Sequence, residues 1–143
     1  MNILDMSIIF FVLMESANVI ILYFFPESKY GNGVAVFNNY DLSKEDENMH
    51  LFVRYLTNWV AGVKLIFIVL LIVILLFGDN TLKSYSIMVM ILSIASYFWR
   101  LAPLIKKLDT NGFITPKGYS KILNYMILGF MIIFSLSLVF YYL

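Results

Sequence analysis

The sequence predicts an all-α fold, a polytopic membrane protein built as an antiparallel bundle of four transmembrane helices, with residues 1–143 as one domain. Three observations carry this: the composition, four apolar stretches of spanning length, and a one-sided distribution of lysine and arginine. The 143-residue chain is 62% hydrophobic and 13% charged, with a mean hydropathy of +0.87. A water-soluble domain is closer to half apolar and carries roughly twice that share of charge. The surplus apolar surface needs lipid as its solvent.

An α-helix needs about 20 residues to cross a hydrocarbon core of roughly 30 Å. The first stretch covers residues 3–25 and stops at Pro26. It lacks a basic leader and a small-residue cleavage site, and Glu15 and Asn18 lie in mid-span, so it reads as a retained helix and not a signal peptide. The second helix is expected over 44–77. Ser43 and Asp46 resemble a capping box, and the acidic run 45–47 suits the positive end of a helix dipole, so this helix should start in water. Gly78-Asp79-Asn80-Thr81 reads as a tight turn into a third helix over 82–105, with Pro103 expected to kink its end. Thr115 before Pro116 predicts the start of the fourth helix, 116–142.

The first connection, 26–50, has room for structure of its own. Its residues 34–37 are expected to form a short hairpin or to dip into the interface. Tyr30-Gly31-Asn32-Gly33-Val34 matches a string found in pediocin-like bacteriocins, but no cysteines flank it, and it reads as a turn. Asp109-Thr110-Asn111-Gly112 resembles the middle of an EF-hand loop. Lys107 and Gly118 occupy the two positions where that loop needs carboxylates, so this too is a turn.

Orientation follows from the cations near the span ends. Lys29, Lys44, Arg54, Arg100, Lys106, Lys107, Lys117 and Lys121 belong to the side of the first and third connections, and only Lys83 to the other. A cell-membrane protein with both termini outside is expected.

Composition also excludes function classes. A net charge of +1 offers no basic field for nucleic acid. The absence of cysteine removes disulfide and thiol chemistry, and His50 as the sole histidine removes multi-histidine metal and haem sites. No catalytic residue, metal site or cofactor is predicted.

Ionisable residues inside a span point to function by default. Glu15 and Lys64 fall near the middle of the first and second helices, at one depth, and are expected to pair. At about 100° per residue, Arg54, Thr57, Asn58, Ala61 and Lys64 share one face. Ser86, Ser93, Ser96, Tyr97 and Arg100 form a stripe on the third helix, and Asn124 and Ser135 align on the fourth. Such polar seams should face inward. The candidate ligand-binding set is therefore Glu15, Asn18, Arg54, Asn58, Lys64, Tyr97 and Arg100. Arg54 and Arg100 are expected to converge on an anion; the alternative is that they anchor at the interface beside Trp59 and Trp99.

The expected function is binding or transport of an anionic or amphipathic ligand, a lipid headgroup or small metabolite, at a site open to the cytoplasmic half. Expected partners are membrane lipids and a second copy of the chain, as a homodimer or larger oligomer. In length, helix count and a lone acid midway along the first helix, Glu15, the chain is similar to small multidrug-resistance transporters. That resemblance implies proton-coupled transport through Glu15. Its long first connection, its charge asymmetry and Lys64 depart from that pattern. A scaffold subunit is a third reading, and an intramembrane enzyme a fourth.

Overall fold

The computed structural model describes residues 2–30 and 32–143; Gly31 of the turn string lies outside the described residues. The fold is all-α. Helix α1 spans Ile3–Phe24, α2 Asn38–Ser43, α3 Glu47–Phe77, α4 Asn80–Ala95, α5 Tyr97–Thr110 and α6 Tyr119–Tyr142, with a 3-10 turn at Val34–Val36. Four segments are long and apolar enough to cross a membrane: α1, α3, α4 with α5, and α6.

At one end of the bundle the two chain ends meet the α3–α4 turn. Asn2 caps α1 in a reciprocal box with Asp5, and its amide also donates to Asn80 Oδ1 at 2.6 Å. Lys83 Nζ lies 2.8 Å from Asp5 Oδ1, and the Tyr142 hydroxyl donates to Ser84 Oγ at 3.1 Å. Gly78 makes the α3–α4 turn possible by closeness, since a Cβ there would sit 2.5 Å from the Ile74 carbonyl oxygen.

At the other end the first and third connections meet. Asn38 N–H donates to the Phe113 carbonyl and Thr115 N–H to the Val36 carbonyl, an isolated antiparallel bridge between Phe37 and Ile114. Residues 34–37 do not form a hairpin of their own. They turn tightly, bury Ala35 and Val36, and lead into α2, a helix the sequence did not predict.

Three expected helix boundaries are corrected. Ser43 ends α2, its hydroxyl donating to the Tyr40 carbonyl; α3 is capped instead by Asp46, whose carboxylate accepts from the amides of Asn48 and Met49. The third span breaks at Ser96, well before Pro103, and runs on to Thr110. Ser96 Oγ and its own amide both turn back onto the Ser93 carbonyl, and such serine back-bonding tightens and bends a helix. The fourth span starts at Tyr119, not at Pro116. Asp109, at the end of α5, accepts from the amides of Gly118 and Ser120 and from the Ser120 hydroxyl. Gly118, at φ +88, supplies the left-handed conformation the entry needs.

Packing divides the bundle into two unlike halves. Toward the chain ends, Leu4, Ile8, Phe11, Ile68, Leu71, Ile87, Phe130 and Phe134 make a continuous core. Phe11 is its centre, with ring centroids 5.0 Å from Phe130 and 5.4 Å from Phe134. Toward the connections a smaller core joins Val36, Tyr97, Ile105, Ile114, Tyr119 and Leu123. Helix α1 is the hub, packed on α3, α6 and α4, while α5 leans on α6. Helices α3 and α5 barely touch, and a cavity lies between them.

Candidate functional site

The polar residues at the boundary between the two halves come from α1 and α3. Glu15 is followed by Asn18 three residues later, one turn along the same face of α1. Thr57, Ala61, Lys64, Ile68 and Leu71 recur at helical spacing along α3, and that face meets α1. Lys64 Nζ donates to Glu15 Oε2 at 2.7 Å and to Asn18 Oδ1 at 2.6 Å. Both charged side chains are about three-quarters buried, at 25% and 21% exposure. The Asn18 amide donates to the Asn32 carbonyl at 3.2 Å, tying α1 to the first connection, and the Tyr119 hydroxyl donates to Asn32 Oδ1.

Above this cluster, between α3 and α5, lies a cavity of about 570 Å³. Val53, Leu56, Thr57 and Val60 line it from α3, and Tyr97, Leu101, Leu104, Ile105 and Leu108 from α5. Asn18 and Lys64 form its polar end, and Gly33, Val34 and Phe37 of the first connection also line it. The Tyr97 hydroxyl donates to Asn124 Oδ1 at 2.7 Å, which fixes one wall to α6. On the other side of Asn18 and Asn32 a smaller cavity of about 150 Å³ is lined by Glu15, Met126 and Phe130.

The predicted residues therefore separate into two groups. Glu15, Asn18 and Lys64 come together, and Tyr97 lines the same cavity as Asn18 and Lys64. Arg54, Asn58 and Arg100 do not join them. Arg54 lines a different cavity with Glu27, Tyr40 and His50, from which Arg100 is absent. Arg100 lies over the Trp99 ring, 5.0 Å from its centroid, on an exposed surface. Asn58 is exposed and outside the large cavity's walls. The expected convergence of the two arginines is thus not found. Tyr97, Leu101 and Leu104 of α5 turn to the cavity, whereas Arg100 lies with Trp99 on the exposed side of the same helix. Of the expected third-helix stripe only Tyr97 is buried; Ser93 and Ser96 are exposed, and the Ser96 hydroxyl donates to the Ser93 carbonyl. On α6 it is Ser137, not Ser135, that is buried.

The α5 wall is absent from the residues expected of the site, Tyr97 excepted. Tyr97, Leu101, Leu104, Ile105 and Leu108 recur at helical spacing and were legible as an apolar stripe opposite Lys106 and Lys107. The Lys83–Asp5 ion pair was not expected either, because each residue sits near a span end where exposure is the ordinary expectation.

As chemistry, the cluster offers an ion pair with amide partners and a long apolar chamber. Among the described residues no group of three or more His, Cys, Asp or Glu side chains could hold a metal. Glu15 is not a lone acid in this fold, since Lys64 is in direct contact. Comparison with protein-family models, with curated proteins and with solved structures gives no match.

Proposed function

We propose that this chain is a multi-pass cell-membrane protein that binds an amphipathic, lipid-like ligand in the hollow half of its bundle, the half that faces the cytoplasm. The observation that carries the reading is the cavity between α3 and α5, lined mostly by apolar side chains, with Lys64 as its one charged wall residue and the hydroxyls of Thr57 and Tyr97 already engaged by Val53 and Asn124. Its volume of about 570 Å³ lies within the range of small-molecule pockets. The lack of α3–α5 packing gives a lateral way in for a molecule already dissolved in lipid.

Charge narrows the ligand class. Glu15 neutralises Lys64, so the cavity presents no net charge to a free anion. An ammonium has three N–H donors, and Glu15 and Asn18 engage two of them. The third suits a neutral oxygen acceptor, a hydroxyl, carbonyl or ester. The amphipathic alternative is therefore favoured over the anionic one. The cytoplasmic orientation rests on the lysines and arginines of the first and third connections. Binding needs one bundle only; transport would call for a homodimer or larger assembly, because the ion pair lies at the cavity's end.

Native mass spectrometry of protein extracted in mild detergent tests the reading. The wild type is expected to retain a neutral amphiphile. Leu104→Trp, which adds bulk to the cavity wall, should reduce retention by about tenfold, in line with the usual cost of overpacking. Val69→Trp, on an exposed stretch of α3, should leave retention unchanged. Equal retention in both variants would refute the assignment.

A further inference from the structure

A second cavity, which the ligand reading above does not use, lies where the end of α1 meets α2 and the first turns of α3. It measures about 470 Å³, and its walls include Phe25, Glu27, Ser28, Tyr40, His50 and Arg54. Its height is set by α3. That helix ends at Phe77 beside the polar Gly78-Asp79 turn, and Arg54 lies about 35 Å of helix before that end. A hydrocarbon core is about 30 Å thick, so the cavity stands at the level of lipid headgroups. Phe24 and Phe25, both largely exposed, lie beside it at the end of α1.

The walls are complementary to a molecule bearing both signs of charge. The Arg54 side chain has no hydrogen bond or salt bridge among the described residues, and a guanidinium matches a phosphate with paired donors. Glu27 supplies the opposite charge; its only ion-pair partner among the described residues is Lys44 at 3.1 Å, and its side chain stays 72% exposed. Lys44 is itself shared with Asp41 at 3.2 Å.

His50 has a defined role by hydrogen-bond accounting. The single Ser43 hydroxyl hydrogen is committed to the Tyr40 carbonyl at 2.7 Å. Ser43 Oγ, 3.1 Å from His50 Nδ1, must then accept, so Nδ1 carries the ring hydrogen. Nε2 of the neutral ring is left as an acceptor. Burial pushes the Tyr40 phenol up, which keeps it neutral beside the site.

We propose that this cavity binds the headgroup of a zwitterionic phospholipid, with its phosphate on Arg54 and its ammonium on Glu27 and His50 Nε2. The site is separate from the α3–α5 cavity, and Leu104→Trp should leave it unaffected.

The test uses the full chain in detergent, titrated separately with short-chain phosphatidylethanolamine, short-chain phosphatidylglycerol and inorganic phosphate, with adducts read by native mass spectrometry. The ethanolamine lipid should bind tightest. Arg54→Gln should weaken it by on the order of tenfold or more, as expected for hydrogen bonds to a charged partner. Arg54→Lys, which keeps the charge but loses the fork, should fall between, and it replaces Arg54→Gln if that variant is not monodisperse. Glu27→Gln should abolish the preference for ethanolamine over glycerol while leaving the phosphatidylglycerol affinity in place. Arg100→Gln should change nothing. Equal binding of both lipids with no effect of Glu27→Gln would overturn the zwitterion assignment in favour of a plain anion site. Inorganic phosphate binding as tightly as lipid would overturn the headgroup source. Equal losses in Arg54→Gln and Arg100→Gln would reduce Arg54 to an interfacial anchor.

Discussion

At the scale of single residues, the Lys64 ammonium joins α1 to α3 in mid-bundle. It sits on α3 against α1, 2.7 Å from Glu15 and 2.6 Å from Asn18, at the level where the aromatic core around Phe11 ends. Removing one partner of such a pair leaves an uncompensated charge away from water, at a cost of roughly 3–5 kcal/mol, whereas removing both can be nearly neutral. Glu15→Gln and Lys64→Met are therefore each expected to lower stability in detergent melting more than the double variant does. Strictly additive losses would mean that the 2.7 Å contact contributes nothing. Asn18→Ala should have a smaller effect, because it removes one acceptor of Lys64 and leaves the other.

At the scale of elements, the helix ends are held by carboxylates that local sequence patterns do not single out. Asp46 caps α3 from the adjacent position, and its replacement by alanine should cost about 0.5–2 kcal/mol. Asp109 acts across a connection, holding the start of α6 from the end of α5 through Gly118 and Ser120. Hydrogen bonds to a charged group contribute about 1.5–3 kcal/mol, so Asp109→Ala should destabilise at least as much as Asp46→Ala. Thermal unfolding of both variants in one detergent checks the order. A wild-type melting curve for Asp109→Ala would show that α6 does not depend on the cap. Ser43→Ala should be milder than either, because its hydroxyl serves its own turn and His50 and caps no helix.

At the scale of the whole molecule, both ends of the bundle are latched by contacts between segments distant in sequence. Asn2, Asp5, Asn80 and Lys83 close one end, and the Phe37–Ile114 bridge closes the other. The first and third connections must consequently share one side of the membrane, and the proposed orientation makes that side the cytoplasm. Single cysteines at Asn39 and Asn111, both exposed and on those connections, should resist an impermeant thiol reagent in intact cells and react after lysis. Labelling of both in intact cells would reverse the proposed orientation. Asn39 is a better probe position than Asn38, whose amide is bonded to the Gly112 carbonyl and to the Thr115 hydroxyl.

The all-α class, the four spans, the Gly78 turn and the shared depth of Glu15 and Lys64 are all legible in the sequence by itself. Each depends on quantities that accumulate along one helix: apolar length, axial rise and angular phase. The start of α6 and the fate of Arg54 and Arg100 were decided only by tertiary structure, whereas the start of α3 and the break at Ser96 turned on local bonds. In those cases a side chain chose between partners that sequence spacing cannot rank. Ser96 turned back onto Ser93, Asp109 reached over to Gly118 and Ser120, and Asp46 displaced Ser43 as the cap. The cavity belongs to the same category. An apolar stripe on α3 and another on α5 announce two faces that avoid water, but whether they meet or stand apart depends on how α1, α6 and the first connection hold them. Here those elements hold them apart, and the space left between them is the candidate site.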